Sequence, residues 1–145
     1  MTTSDAQPIT YLNEHESWAL LSSTTLGRLA TSVEGQPDIF PVNFVVQRRT
    51  ILIRTAEGTK LLSAHVNPRV AFEADDHDFE EGWSVVVKGV VHEVTNSAEL
   101  ADAERAQVLP WTATVKQRYL RIAPTQVTGR RFQFGDEPDP TFDFG

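Results

Sequence analysis

Between Arg54 and Lys60 the chain reads Arg-Thr-Ala-Glu-Gly-Thr-Lys, and this stretch holds what a phosphate group needs. Arg54 can fork two hydrogen bonds onto phosphate oxygens, Lys60 adds a point charge, and Thr55 and Thr59 offer hydroxyl donors. Gly58 lets backbone approach a ligand closely. A helix starting at Gly58 would add free N–H groups and the favourable end of its dipole. The stretch is not a Walker loop, because the Gly-x4-Gly-Lys-Ser/Thr spacing is missing. Spacing alone also admits a plainer arrangement, in which a strand-ending Arg54 pairs with Glu57 and Lys60 is a solvated helix residue.

The cluster stands out because its background is acidic: 20 Asp and Glu against 13 Lys and Arg give a net charge of −7. That balance disfavours nucleic acid as a partner, since such binding relies on cationic surface to release counterions. With no Cys, disulfides, thiolate nucleophiles and Cys-ligated metals are excluded together. No Ser-His-Asp or paired-carboxylate arrangement is legible, so no catalytic side chain is named. His15, His65 and His92 read as surface or strand residues. His77 lies among Asp75, Asp76 and Asp78, but the calcium-loop Gly and Glu are absent and no metal is expected. The chain has no apolar run long enough for a membrane span and no basic start leading into an apolar stretch, so a cytoplasmic protein is expected.

The elements that must position the cluster follow from periodicity. Asn13 and Glu16 form a capping-box pattern ahead of Trp18, Leu20 and Leu21, predicting a helix over roughly 13–22. Strands are expected at 26–33, at 38–46 and at 50–55, with Glu34-Gly35-Gln36-Pro37 as the first turn. Pro41 inside the second strand calls for an edge position or a bulge, because Pro cannot donate to a ladder. A short helix is expected from Gly58 to Val66, ended by Asn67-Pro68, then strands at 69–74 and 82–94 around an acidic loop at 75–81. Gly89 within the longest strand suggests a bulge or bend. A helix opened by Ser97 should run to about Val108, stopped by Pro110, with two last strands at 117–123 and 127–134 around Pro124. Residues 1–9 read as frayed. The expectation is one mainly β domain over residues 1–134, six or seven strands forming an antiparallel barrel with short helices, with an all-β sandwich as the competing arrangement, followed by an acidic tail at 135–145 whose Phe142 and Phe144 could dock on it.

Five blocks, in this order and spacing, resemble the pyridoxamine 5'-phosphate oxidase-like flavin proteins, in particular the branch related to nitroimidazole-resistance proteins. They are Leu26-Gly27-Arg28-Leu29-Ala30-Thr31, Pro37-Asp38-Ile39-Phe40-Pro41-Val42-Asn43-Phe44, Arg54 to Lys60, Val70-Ala71-Phe72-Glu73, and Gly82-Trp83-Ser84-Val85-Val86-Val87-Lys88-Gly89. The resemblance spans residues 10–134. It implies an FMN-binding split β-barrel, paired as a homodimer with flavin at the interface. It assigns Arg54, Thr55, Thr59 and Lys60 to the cofactor phosphate. It lays Pro41, Val42, Asn43 and Phe44 along the flavin ring, where backbone N–H and C=O groups meet its polar edge and Asn43 adds a side-chain bond. Trp83 and Trp111 are offered as ring or interface contacts, against an ordinary core role for each.

A flavin brings its own hydride chemistry, so the implied activity is an oxidoreductase acting on a small electrophile such as a nitro compound or a quinone. Two other readings use the same barrel. One binds the deazaflavin F420, whose anionic tail would require Arg28, Lys88, Arg130 and Arg131 to face a common groove. The other is a non-enzymatic flavin or haem carrier or sensor, although haem-binding relatives use a His near the C-terminus and none follows His92 here. Vitamin B6 oxidation itself is disfavoured by the acidic tail, which stands where those enzymes carry a basic substrate-binding segment.

Overall fold

The computed structural model describes residues 8–55, 63, 65–108 and 118–135. In chain order the elements among them are β1 (Ile9–Leu12), α1 (Glu14–Leu21), β2 (Leu26–Val33), β3 (Gln36–Gln47), β4 (Thr50–Thr55), β5 (Arg69–His77), β6 (Glu81–Glu93), α2 (Ser97–Arg105) and β7 (Arg118–Gln133). All strand pairs are antiparallel. Six strands close on themselves in the order β7-β4-β3-β2-β5-β6, with β6 returning to β7, and β1 adds to the far end of β7. No helix among the described residues is long and apolar enough to cross a membrane.

Strand alternation decides what the barrel buries. In β6 the side chains of Trp83, Val85, Val87 and Val91 point inward, while Lys88, Val90 and His92 between them are exposed. The interior joins these to Leu29, Phe44, Ile53 and Ile122, and Phe44 meets Phe72 edge-on at 4.7 Å between ring centroids. In β4, Ile51 and Ile53 enter this core. Leu52 turns outward instead, into a second cluster with Val94, Ala103, Val108 and Tyr119 under α2.

Polar contacts seat α2 on the barrel wall. The Arg121 side chain is only 8% exposed and bonds Glu99 Oε2 at 2.9 Å, Thr50 Oγ1 at 2.8 Å and Gln47 Oε1 at 2.9 Å. Gln47 Nε2 donates to the Asp102 carbonyl oxygen at 2.9 Å, and Arg48 pairs with the Asp102 carboxylate. Each donor in this wall therefore has an acceptor, as burial demands.

Several expectations hold. α1 begins at Glu14 with the full capping box, Asn13 Oδ1 accepting from the Glu16 N–H at 2.8 Å and Glu16 Oε1 from the Asn13 N–H at 3.0 Å. Others are corrected. Of residues 1–9, expected to be frayed, 1–7 lie outside the described residues and Ile9 opens an unexpected strand, Ile9–Leu12, because β7 offers a ladder from Ile9↔Phe132 to Leu12↔Gly129. The last two expected strands are one: Thr125 is an extra residue opposite Lys88 and Gly89, and this bulge absorbs Pro124 without ending β7. The helix expected from Ser97 to Val108 stops at Arg105 and is capped by Asn96, whose Oδ1 accepts from the Glu99 N–H at 2.7 Å. The acidic segment is partly strand, since Asp75, Asp76 and His77 continue the pairing of β5 with β6. Of the helix expected at 58–66, Ser63, His65 and Val66 are helical, and the rest lies outside the described residues, as do Trp111 and the tail from residue 136.

Candidate functional site

β3 and β4 separate partway along. β3 pairs with β2 from Gln36 to Asn43, yet with β4 only from Phe44 to Gln47. Beyond the Phe44↔Ile53 pair, Arg54 and Thr55 keep their places opposite Tyr119 and Arg118 on the β7 side of β4 but pair with no residue of β3. Residues 36–43 thus leave one edge of β3 without a ladder partner among the described residues.

Which backbone groups face that gap follows from one bond. The Phe44 N–H donates to the Thr25 carbonyl oxygen at 3.0 Å, so even-numbered residues of β3 turn their polar backbone groups to β2. The odd-numbered Ile39, Pro41 and Asn43 turn theirs to the open edge. Pro41 therefore stands where its missing N–H costs the β2 ladder nothing, the edge position its residue type calls for. Side chains obey the same alternation. Val42 and Phe44 are each 1% exposed and belong to the core, whereas Pro41 is exposed and Asn43 half-buried. Val42 and Phe44, with side chains in the core and backbone polar groups turned to β2, present no polar group to the open edge. Asn43 makes no side-chain hydrogen bond among the described residues.

Arg54 lies beside this gap, half-buried. Its Nη1 donates to the Val108 carbonyl oxygen at 2.8 Å, its guanidinium stands 6.0 Å from the Tyr119 ring centroid, and its buried Nε has no hydrogen-bond partner among the described residues. Thr55 is buried on the opposite face of β4, with Ile51 and Ile53. Adjacent strand residues point apart, so Arg54 and Thr55 do not converge through their side chains within the strand. Thr59 and Lys60 lie outside the described residues. The roles of Val108 and Tyr119 were invisible in the sequence, because nothing local connects either residue with Arg54.

The other expected participants are dispersed. Arg28 bonds Glu73 at 2.7 Å and Asp75 at 3.0 Å. Burial first, then the neighbouring Asp75, pushes the Glu73 carboxyl above its ordinary range, despite bonds from Ser84 and Arg28. Arg131 pairs with Glu81 at 3.1 Å, and Arg130 lies 5.9 Å from the Tyr11 ring centroid. Of the four cations an F420 groove would gather, three are thus engaged separately. Trp83 is a core residue.

The residues present fit a flavin nucleotide. Among the described residues, Asn43 holds an unused amide beside an unpaired strand edge, and Arg54 keeps a buried donor without an acceptor next to that gap. An anionic group there would satisfy the donor and the charge together.

Comparison with known proteins agrees. A solved FAD-binding protein from Mycobacterium smegmatis is 60% identical, covers 87% of this chain and all of its own, and superposes with a TM-score of 0.78. A Corynebacterium glutamicum protein named for pyridoxamine 5'-phosphate oxidase is 43% identical over 91% of this chain and 98% of its own, with a TM-score of 0.84. A Bacteroides thetaiotaomicron protein named for 5-nitroimidazole antibiotic resistance shares the fold at 13% identity and a TM-score of 0.71, with 92% and 97% of the two chains covered. The family model described as pyridoxamine 5'-phosphate oxidase matches residues 13–131, and with the closed six-stranded barrel this places the chain in that family.

Proposed function

We propose that this chain is a flavin-nucleotide-binding protein, with FMN as the cofactor, acting as an oxidoreductase on small electrophiles such as nitro compounds or quinones. The observation that carries the reading is the end of β3–β4 pairing at Phe44↔Ile53, which leaves the Pro41–Asn43 edge unpaired among the described residues beside the anchored Arg54. Asn43 would hold the ring's polar edge, with Pro41, Val42 and Phe44 forming the wall behind it. Arg54, with Thr55, Thr59 and Lys60, would hold the phosphate. A bound flavin supplies hydride chemistry of its own, so the chain's task is to orient it and limit water access. The work is assigned to a homodimer, with the open edge of one copy completed by the second.

FAD is the second cofactor reading, favoured by the 60%-identical relative named as an FAD-binding protein. Purification without added cofactor, followed by visible spectroscopy and chromatography of the released chromophore, tests both. An oxidised-flavin spectrum is expected, and the released nucleotide separates FMN from FAD. A Soret band, or a colourless protein that takes up F420 but no flavin, would overturn the assignment. Turnover of a nitroaromatic or quinone with a nicotinamide donor then separates enzyme from carrier.

A further inference from the structure

On the outer face of the barrel, β2, β5 and β6 border a cleft of about 660 Å³, within the size range of small-molecule sites. Its floor is Ala30 and Ala71, paired across β2 and β5, with Pro37 and Val90 among the apolar residues beside them. The cleft opens because β2 and β5 pair only over Arg28–Ala30 and then diverge. Asn67 Nδ2 spans the divergence by donating to the Ser32 carbonyl oxygen at 2.8 Å. On the opposite rim the Thr125 bulge fixes β6, as Thr125 Oγ1 donates to the Lys88 carbonyl oxygen at 3.1 Å.

Two cations line this cleft. Lys88 sits opposite Ala71, and Arg69 sits opposite Val90, so they are diagonal neighbours on one sheet face, about 7–8 Å apart. Every other arginine of the described residues lies against a carboxylate, a carbonyl oxygen or an aromatic ring. Among the described residues Arg69 and Lys88 have no such side-chain partner, and no carboxylate lines the cleft. In a chain of net charge −7, two adjacent cations left unmatched over an apolar floor complement one kind of ligand. We propose that this cleft binds a small organic anion, its carboxylate or phosphate head between Arg69 and Lys88 and its apolar body over Ala30 and Ala71. Pro37 of β3 reaches the cleft, but Pro41, Asn43 and Arg54 are not among its lining residues, so the proposal rests on side chains other than those assigned to the flavin.

Calorimetric titration of the purified full-length chain with phenyl phosphate, octanoate and the neutral benzyl alcohol tests it. The two anions are expected to bind, more weakly as salt rises, and benzyl alcohol is expected not to. Replacing both cations (Arg69→Gln with Lys88→Gln) should weaken phenyl phosphate about tenfold or more, the loss of two charge-assisted contacts. Ala71→Leu, which fills the floor, should weaken it while the flavin spectrum is unchanged. Equal binding of anion and alcohol, no binding of either anion, or full affinity in the double variant would overturn the proposal. So would loss of flavin in the double variant, which would make these cations part of the cofactor site. A dimer dissociated by Ala71→Leu in sedimentation would show the cleft covered by a second copy, and would overturn it as well.

Discussion

The Val108 carbonyl oxygen accepts a hydrogen bond from Arg54 Nη1 at 2.8 Å, joining the end of β4 to the chain that leaves α2. Because α2 is itself held to the wall by Arg121, Gln47 and Arg48, the position of Arg54 depends on residues far from it in sequence. A long side chain anchored at one nitrogen loses less freedom on binding an anion than one waving in water.

Replacing Arg54 and Lys60 together by Ala should weaken FMN by several kcal/mol, since charge-assisted hydrogen bonds contribute about 1.5–3 kcal/mol each. Riboflavin, which lacks the phosphate, should bind as before. Equal losses for the two ligands, measured by flavin fluorescence quenching, would remove the phosphate assignment.

Arg121→Met should destabilise the fold by about 2–4 kcal/mol, because Glu99, Gln47 and Thr50 lose their shared buried donor. Hydrogen exchange should quicken first in α2. FMN affinity should fall too, through the Val108 carbonyl that holds Arg54. Unchanged exchange in α2 would show that the apolar cluster beneath it suffices.

Gly89→Ala should cost at least about 2–3 kcal/mol, since its Cβ would lie 2.2 Å from the Ala123 carbonyl oxygen, a backbone atom that cannot swing away. Gly35→Ala meets no neighbour within 4 Å and carries only the strain of its φ of +79°, about 1 kcal/mol. Urea midpoints of the two variants should rank in that order.

Stability should respond to acid with two opposite signs. The bond from Arg48, with help from Arg105, holds Asp102 below its ordinary value of 3.8 against the opposing effect of burial. For Glu99 burial pushes upward, and the His92 and Arg121 contacts outweigh it, leaving it below 4.5. A lowered folded-state value means that the stabilisation is present above the ordinary carboxylate range and is lost as pH falls through it. Glu73, raised above 4.5, behaves oppositely: its contribution is present below that value and is lost as pH rises through the raised one. Urea midpoints between about pH 3 and 7 should show Asp102→Asn flattening the acid-side loss and Glu73→Gln flattening the neutral-side one. The same profile in both variants and the parent would contradict these assignments.

Strand order along the chain, the capped α1, the edge requirement of Pro41 and the irregularity near Gly89 were all legible in the residues. Each is set by local chemistry: side-chain period, capping, or a ring that cannot donate. The single β7 was not legible, because Pro124 reads as a break until a partner strand supplies a bulge to absorb it. β1 was missed for a related reason, as Ile9–Leu12 become a strand only through the ladder that β7 offers. The sequence also singled out Arg54 by its type and its place at a strand end. Only the tertiary structure sent Arg54 and Thr55 to opposite faces, set Val108 and Tyr119 around the guanidinium, and left Arg69 and Lys88 together without partners. Those relationships depend on which strands lie side by side and in what register, and non-local pairing of that kind leaves no periodic trace along a single chain.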